Sequence, residues 1–178
     1  MKKILVAAAI ASGFSTTAMA ADSGAYVGAQ LGSAKYGYSD TANRVTAGGV
    51  FAGYNFNPFF GIEAAYNTFG SEKSNLVPTT SISANAFAVR GVVNGHINEN
   101  FAIYGRIGFA NVSSSLKGLG GTISTSKTGL TAGVGAEYDF NPQMGLRFGF
   151  DTYKSEVKGA TTIGANITDI NGALVYKF

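Results

Sequence analysis

Charged side chains are scarce in this chain, and five of them, Glu63, Arg90, Arg106, Glu137 and Arg147, stand in segments otherwise built of apolar and small residues. Acids and bases scattered in this way suit ion pairing. A buried charge deprived of its partner costs about 3–5 kcal/mol, so Glu63 and Glu137 are expected to pair with Arg90, Arg106 or Arg147. Such a set can fill and rigidify an interior, or it can line a narrow ion-selective path. Nucleophilic chemistry has less to build on. His96 is the only histidine, and a Ser-His-Asp arrangement needs a nucleophile and an orienting acid beside it. Nothing places such partners there, and one histidine without clustered ligands makes a poor metal site. The chain has no cysteine, so disulfides, thiolate catalysis and thiolate zinc sites are excluded. Gly118-Leu-Gly-Gly121 and Gly133-Val-Gly135 resemble phosphate loops in composition alone, because no strand-to-helix crossover surrounds them. The expectation is a protein that is not an enzyme, with no catalytic residue, cofactor or metal.

The elements that must carry those charges follow from composition and period. The 178 residues fit one domain, and only 13% of them are charged, about half the usual share of a soluble domain. At the N-terminus, Met1-Lys2-Lys3 is a basic start, Ile4 to Phe14 is a mostly apolar run, and Ala18-Met19-Ala20 offers small residues for cleavage. Residues 1–20 therefore read as a signal peptide and residues 21–178 as the mature barrel domain. Cleavage would remove Lys2 and Lys3 and bring the mature chain close to neutrality, which removes support for nucleic-acid binding. After the signal, no stretch approaches the 18 consecutive apolar residues of a membrane helix. A membrane strand needs only about 9–11 residues with every second one apolar.

Alternation of that kind dominates. Leu130, Ala132, Val134, Ala136, Tyr138 and Phe140 fall on one face, with Thr131, Gly133, Gly135, Glu137 and Asp139 on the other. The next segment sets Met144, Leu146, Phe148 and Phe150 opposite Gly145, Arg147, Gly149 and Asp151. The last sets Ile170, Leu174, Tyr176 and Phe178 opposite Asp169, Asn171, Ala173 and Lys177. The period predicts eight strands at 24–34, 45–56, 59–69, 82–95, 101–111, 128–140, 143–153 and 167–178. Short connections at Asn57-Pro58, His96 to Asn100 and Asn141-Pro142 alternate with long ones at 35–44, 70–81, 112–127 and 154–166. An even strand number with alternating short turns and long loops is the pattern of an outer-membrane barrel, its short turns in the periplasm. The fold class is thus all-β, a closed antiparallel eight-stranded up-and-down transmembrane barrel. Since the last strand ends at Phe178, no peptidoglycan-binding domain is expected to follow.

Polarity of the two faces separates this reading from a soluble ligand-binding barrel. A water-facing surface would be dense in Lys and Glu, whereas the second face here is mostly Gly, Ala, Ser, Thr and Asn. Small residues with isolated charges suit the cramped lumen of an eight-stranded barrel. Tyr54, Phe56, Phe60, Phe101, Tyr138, Phe140, Tyr176 and Phe178 fall near the short-turn ends, and Tyr66, Phe109 and Phe150 toward the other. Two aromatic levels are expected where a barrel crosses two bilayer interfaces.

At this point the residues resemble a known family, the transmembrane domain of outer-membrane protein A. Tyr26-Val-Gly-Ala-Gln-Leu-Gly32 resembles its first strand, and Gly53 to Tyr66 its first periplasmic hairpin. Ile103-Tyr-Gly-Arg-Ile-Gly108, Gly135-Ala-Glu-Tyr138 and Gly145-Leu-Arg147 resemble later strands. The ending Leu174-Val-Tyr-Lys-Phe178 resembles the terminal strand read by the barrel-assembly machinery, which makes Leu174, Tyr176 and Phe178 the implied assembly signal. The resemblance also implies a charged network inside the barrel, onto which Glu63, Arg106, Glu137 and Arg147 map by parity. Val92 stands where the family can put an inward lysine, and Arg90, two residues away on the same face, can take that place. Gln30 is likewise neutral where a lysine can occur. The expected role is an integral protein of a Gram-negative outer membrane with a largely plugged lumen and a structural or adhesive task at the cell surface. The alternative is a narrow porin-like ion channel. Expected partners are outer-membrane lipid and lipopolysaccharide, approached by Lys35, Arg44, Lys73, Lys117, Lys127, Lys154 and Lys158 in or beside the long connections. The barrel-assembly machinery and periplasmic chaperones are expected during biogenesis, and no nucleic acid.

Overall fold

Period-two segments can bury one face only by pairing, and without helices to cover the sheet edges the sheet must close on itself. The computed structural model describes residues 23–37, 44–73, 81–118, 121–158 and 162–178, and the expected signal peptide lies outside them. Eight strands form: β1 (Gly24–Tyr36), β2 (Arg44–Asn55), β3 (Phe60–Lys73), β4 (Ser81–His96), β5 (Phe101–Gly118), β6 (Gly121–Asn141), β7 (Met144–Lys158) and β8 (Thr162–Lys177). Each pairs antiparallel with its sequence neighbour, and β1 pairs with β8 to close the barrel. All eight strands stand where the alternation predicts them.

Three short turns share one device. The side-chain Oδ1 of Asn57 accepts hydrogen bonds from the backbone N–H groups of Phe59 and Phe60, both at 2.9 Å. Asn98 does the same for Asn100 and Phe101, and Asn141 for Gln143 and Met144. An asparagine that replaces a backbone acceptor in this way reverses the chain within a few residues. His96 is not in its turn; it closes β4 opposite Ala102, with its side chain exposed.

The other end departs from expectation. Segments 112–127 and 154–166 are not loops for most of their length, because β5 and β6 continue to Gly118 and Gly121, and β7 and β8 to Lys158 and Thr162. Alternation persists there with its chemistry exchanged. Outward positions become Asn111, Ser113, Ser115, Ser124, Ser126 and Thr128, joined across the strands by hydrogen bonds such as Ser113–Ser126 at 3.1 Å and Ser115–Ser124 at 3.0 Å. Inward positions become Ala84, Ala86, Ala88, Ala110 and Val112, which cluster with Tyr36, Phe69, Tyr153 and Ile167. Serine- and threonine-rich stretches look like loop when only apolar outward positions are counted as strand, yet cross-strand hydroxyl pairs stabilise a water-facing sheet well.

Lower down, the outward face is a continuous apolar belt. Leu31 is 73% exposed, Ile107 65%, Val134 63% and Phe148 58%, values that make sense only against hydrocarbon. At the short-turn rim the rings meet in pairs two residues apart in sequence, Tyr54–Phe56, Tyr138–Phe140 and Tyr176–Phe178, with centroids 5.7, 5.6 and 5.1 Å apart. Tyr66, Phe87, Phe109 and Phe150 are the exposed rings of the upper level.

Candidate functional site: the lumen charge network

Inward parity delivers one acidic or basic side chain from each of several strands to a common level, and the barrel's small bore forces them together. Glu63 on β3 and Arg90 on β4 are direct register partners, as are Glu137 on β6 and Arg147 on β7. Glu63 is the hub. Its Oε1 accepts from Arg90 Nη2 at 2.7 Å and from Arg106 Nη1 at 3.2 Å, and its Oε2 accepts from Arg147 Nη1 at 2.9 Å. Arg147 also reaches Glu137 Oε2 at 2.5 Å. The five charges singled out in the sequence therefore meet in one connected set, with Glu63, Arg90 and Arg106 wholly withdrawn from solvent.

Further members complete it. Asp151 on β7 accepts from Arg90 Nη1 at 3.1 Å and from Arg106 Nη2 at 2.6 Å. Lys177 on β8 extends the chain downward, donating to Glu137 and Asp139 at 2.7 Å each. Tyr26 donates to Glu63 Oε2 at 3.2 Å, and the guanidinium of Arg147 stacks over Tyr26, Phe51 and Tyr104 at 4.8–5.3 Å. These rings fill the gaps between arginines while their faces attract the cations. Asp139, Asp151, Lys177 and Asn171 share the inward parity of Arg147, so the alternation that located the first five was sufficient to find them too.

Backbone supplies the room. Asp151 occupies the space that a Cβ on Gly133 would need, and the Tyr26 ring does the same opposite Gly53. Any side chain at either position would displace a network member, which explains glycine at inward positions of strands that otherwise disfavour it. Of the two neutral departures, Val92 is buried as the direct register partner of Arg106, and Arg90, one inward step along β4, pairs with Glu63 and Asp151. Gln30 donates to Asn67 Oδ1 at 2.9 Å, and Asn67 in turn donates to the Tyr153 hydroxyl at 2.8 Å. Tyr153 joins two environments: its ring lies against Phe69, 5.5 Å away, inside the apolar cluster, and its hydroxyl faces Arg90.

Closed topology, a lipid-type belt and a charge-filled lumen together specify an outer-membrane barrel, and known proteins agree. The family described as outer membrane protein beta-barrel domain matches residues 6–178. The chain belongs to that family. Within it, outer membrane protein A of Serratia marcescens is 30% identical over 208 residues, covering 100% of this chain and 56% of its own length. The chain spans about half the length of the curated relatives it matches. In architecture it is similar to Neisserial surface protein A, with a TM-score of 0.73 at 18% identity over 86% of this chain and 97% of that one. Ail, the attachment invasion locus protein of Yersinia pestis, gives 0.59 at 16% identity over 87% of this chain and 99% of its own. This OmpA-like barrel therefore resides in the bacterial outer membrane. Among the described residues no group of three or more His, Cys, Asp or Glu could hold a metal ion.

Proposed function

We propose that this protein is a plugged, non-catalytic outer-membrane barrel whose task is structural and adhesive: it anchors a strand-built collar and its loop tips at the cell surface. The observation that carries this reading is the two-level filling of the lumen. Opposite charges interlock around Glu63, and above them lies a buried, mainly apolar collar of Ala84, Ala86, Ala88, Ala110, Val112 and Ile167, in which Tyr36 and Tyr153 contribute hydroxyls. An ion crossing so apolar a collar would shed its hydration with little replacement, which is the condition under which a pore stays shut. The surface role is supported by the eight-stranded wall continuing past the apolar belt, where its outer face turns to hydroxyls and amides. On the same reading Leu174 and Tyr176, outward on β8, and Phe178, directly after it, 41–49% exposed, present the assembly signal.

Planar-bilayer recording of the refolded barrel tests the plug. Silent membranes are expected for the native chain and for Arg147→Ala, because removing one arginine leaves the collar intact. Steady unitary conductance from the native chain would replace the plug with the narrow-channel reading. Removing Phe178 tests the assembly signal, with slower membrane insertion expected in cells and an unchanged rate of unassisted refolding in detergent.

A further inference from the structure

The outward face of the barrel is not uniform around its circumference. On β4, β5 and β6 the level above the belt carries Asn85, Asn111, Ser113, Ser126 and Thr128, uncharged and largely hydrogen-bonded to one another. On β7, β8, β1 and β2 the outward positions there include Lys35 and Arg44, with Lys154 one outward step higher and only Thr and Asn between it and Lys35. Among the outward positions of those four strands whose exposure is described, none is a carboxylate.

Lys35 and Arg44 are direct register partners. Their Cα atoms thus stand about 5 Å apart across one antiparallel pair, and like charges placed directly opposite destabilise a sheet. Neither side chain makes an ion pair within the described residues. An anion held between them would turn the repulsion into attraction, and a guanidinium beside an ammonium suits a phosphate's oxygens.

Four residues down the same strands lies an open groove of about 580 Å³. Small residues floor it at Ala29, Gly48 and Gly172, and Leu31, Tyr66 and Leu174 wall it. At roughly 3.3 Å per residue the groove sits about 13 Å below the cations. Between the two levels the outward positions are Ser33 and Thr46, also small. A lane, apolar below and cationic above, runs along one side of the barrel, and at its lower end Leu31 stands between the two small residues Gly48 and Gly172.

We propose that this lane is a binding site for one phosphorylated, multiply acylated lipid of the outer leaflet, its phosphate held by Lys35 and Arg44 and its acyl chains laid in the groove on either side of Leu31, over Gly48 and over Gly172. Lys154, one outward step higher and two strands away, reaches toward a second phosphate. The cations and the groove are each required: the first selects for phosphate, and the second holds a chain to one side of the barrel.

Native mass spectrometry of the full refolded barrel decides the matter, with bisphosphorylated lipid A as probe and the same lipid A stripped of both phosphates beside it. The native chain is expected to retain one bisphosphorylated molecule and to release the stripped one. Lys35→Gln with Arg44→Gln should weaken retention roughly thirtyfold, the combined weight of two basic side chains at an anionic surface. Gly172→Leu, whose new side chain meets only Phe148 at ordinary contact distance, should fill the groove and weaken it as well. Ser126→Gln, on the neutral side, should leave retention unchanged. Heat-modifiable gel migration confirms that each variant is folded. Equal retention of the stripped lipid, or native-like retention by the double variant, would overturn the proposal.

Discussion

The two levels of the lumen are built on the same parity by opposite rules. In the belt, residues facing out are Leu31, Ile107, Val134 and Phe148, and those facing in include Glu63, Arg90, Arg106 and Arg147. Above it, residues facing out are Ser113, Ser115, Ser124 and Ser126, and those facing in are Ala86, Ala88, Val112 and Ile167. The backbone crosses from one regime to the other without a bulge in β5 or at the β5–β6 pairing, so geometry stays constant while the solvent changes. The exchange point, between Phe109 and Asn111 on β5 and between Leu130 and Thr128 on β6, marks where acyl chains give way to water. The upper level resembles a small soluble protein with an apolar core; the lower is its inverse, held by ion pairs because its exterior cannot be charged.

That contrast breaks first at Glu63. Glu63→Gln keeps the shape but leaves three arginine contacts facing a neutral amide, and the cost of an uncompensated buried charge is about 3–5 kcal/mol. Urea unfolding of the barrel refolded in vesicles should show the largest loss here. A loss under about 1 kcal/mol would mean that water reaches and solvates the arginines.

The boundary itself can be located from outside. Ile107→Lys places a charge on the lipid face within the belt, at a cost of about 2–4 kcal/mol if near the midplane. Ser113→Lys, three outward steps higher on the same strand and face, should cost almost nothing. Equal losses for the pair would put both residues in one solvent and remove the contrast. A smaller effect is expected in the collar. Val112→Ala removes two buried methyl groups, worth roughly 1–2 kcal/mol with its cavity, and this loss should be the same in high salt, where surface electrostatics fade.

How far the sequence revealed these features depended on which solvent was assumed outside. Eight strands and their short turns were legible because apolar outward alternation is a strong signal in β2, β3, β6, β7 and β8. The five network charges were legible for the same reason, as isolated charges on the small-residue face. The upper halves of β5 and β6 were not, because Ser113, Ser115, Ser124 and Ser126 have the composition of a loop, and their partners Ala110 and Val112 form too short an apolar series to announce a core. Asp151 and Lys177 lay in plain parity with Arg147; what was hidden was their reach, since a register partner is fixed by the turns while a guanidinium's partner across the bore is fixed by closure. The cationic side was legible as a set of lysines and an arginine, but not as a side, because Lys35 and Arg44 become neighbours only once β1 and β2 are paired.

The smallest expected effect has the opposite sign, and it sits at the junction of the two levels. Asp151 and Asp169 are direct register partners on β7 and β8, both fully buried. Asp151 meets two arginines. Asp169 forms no ion pair among the described residues; its Oδ2 shares the Asn171 side-chain amide with Asp151 at 2.9 Å each, and its Oδ1 has no partner. Two carboxylates face each other and only one is compensated. Replacing the uncompensated one removes like-charge repulsion and a desolvation cost, while the remaining amide oxygen can still accept from Asn171. Asp169→Asn should therefore stabilise the barrel by about 1 kcal/mol, and Asp151→Asn should destabilise it. Unfolding midpoints that move in the same direction for both would show that the two acids are compensated alike, and that the network extends one level higher than Arg90 and Arg106.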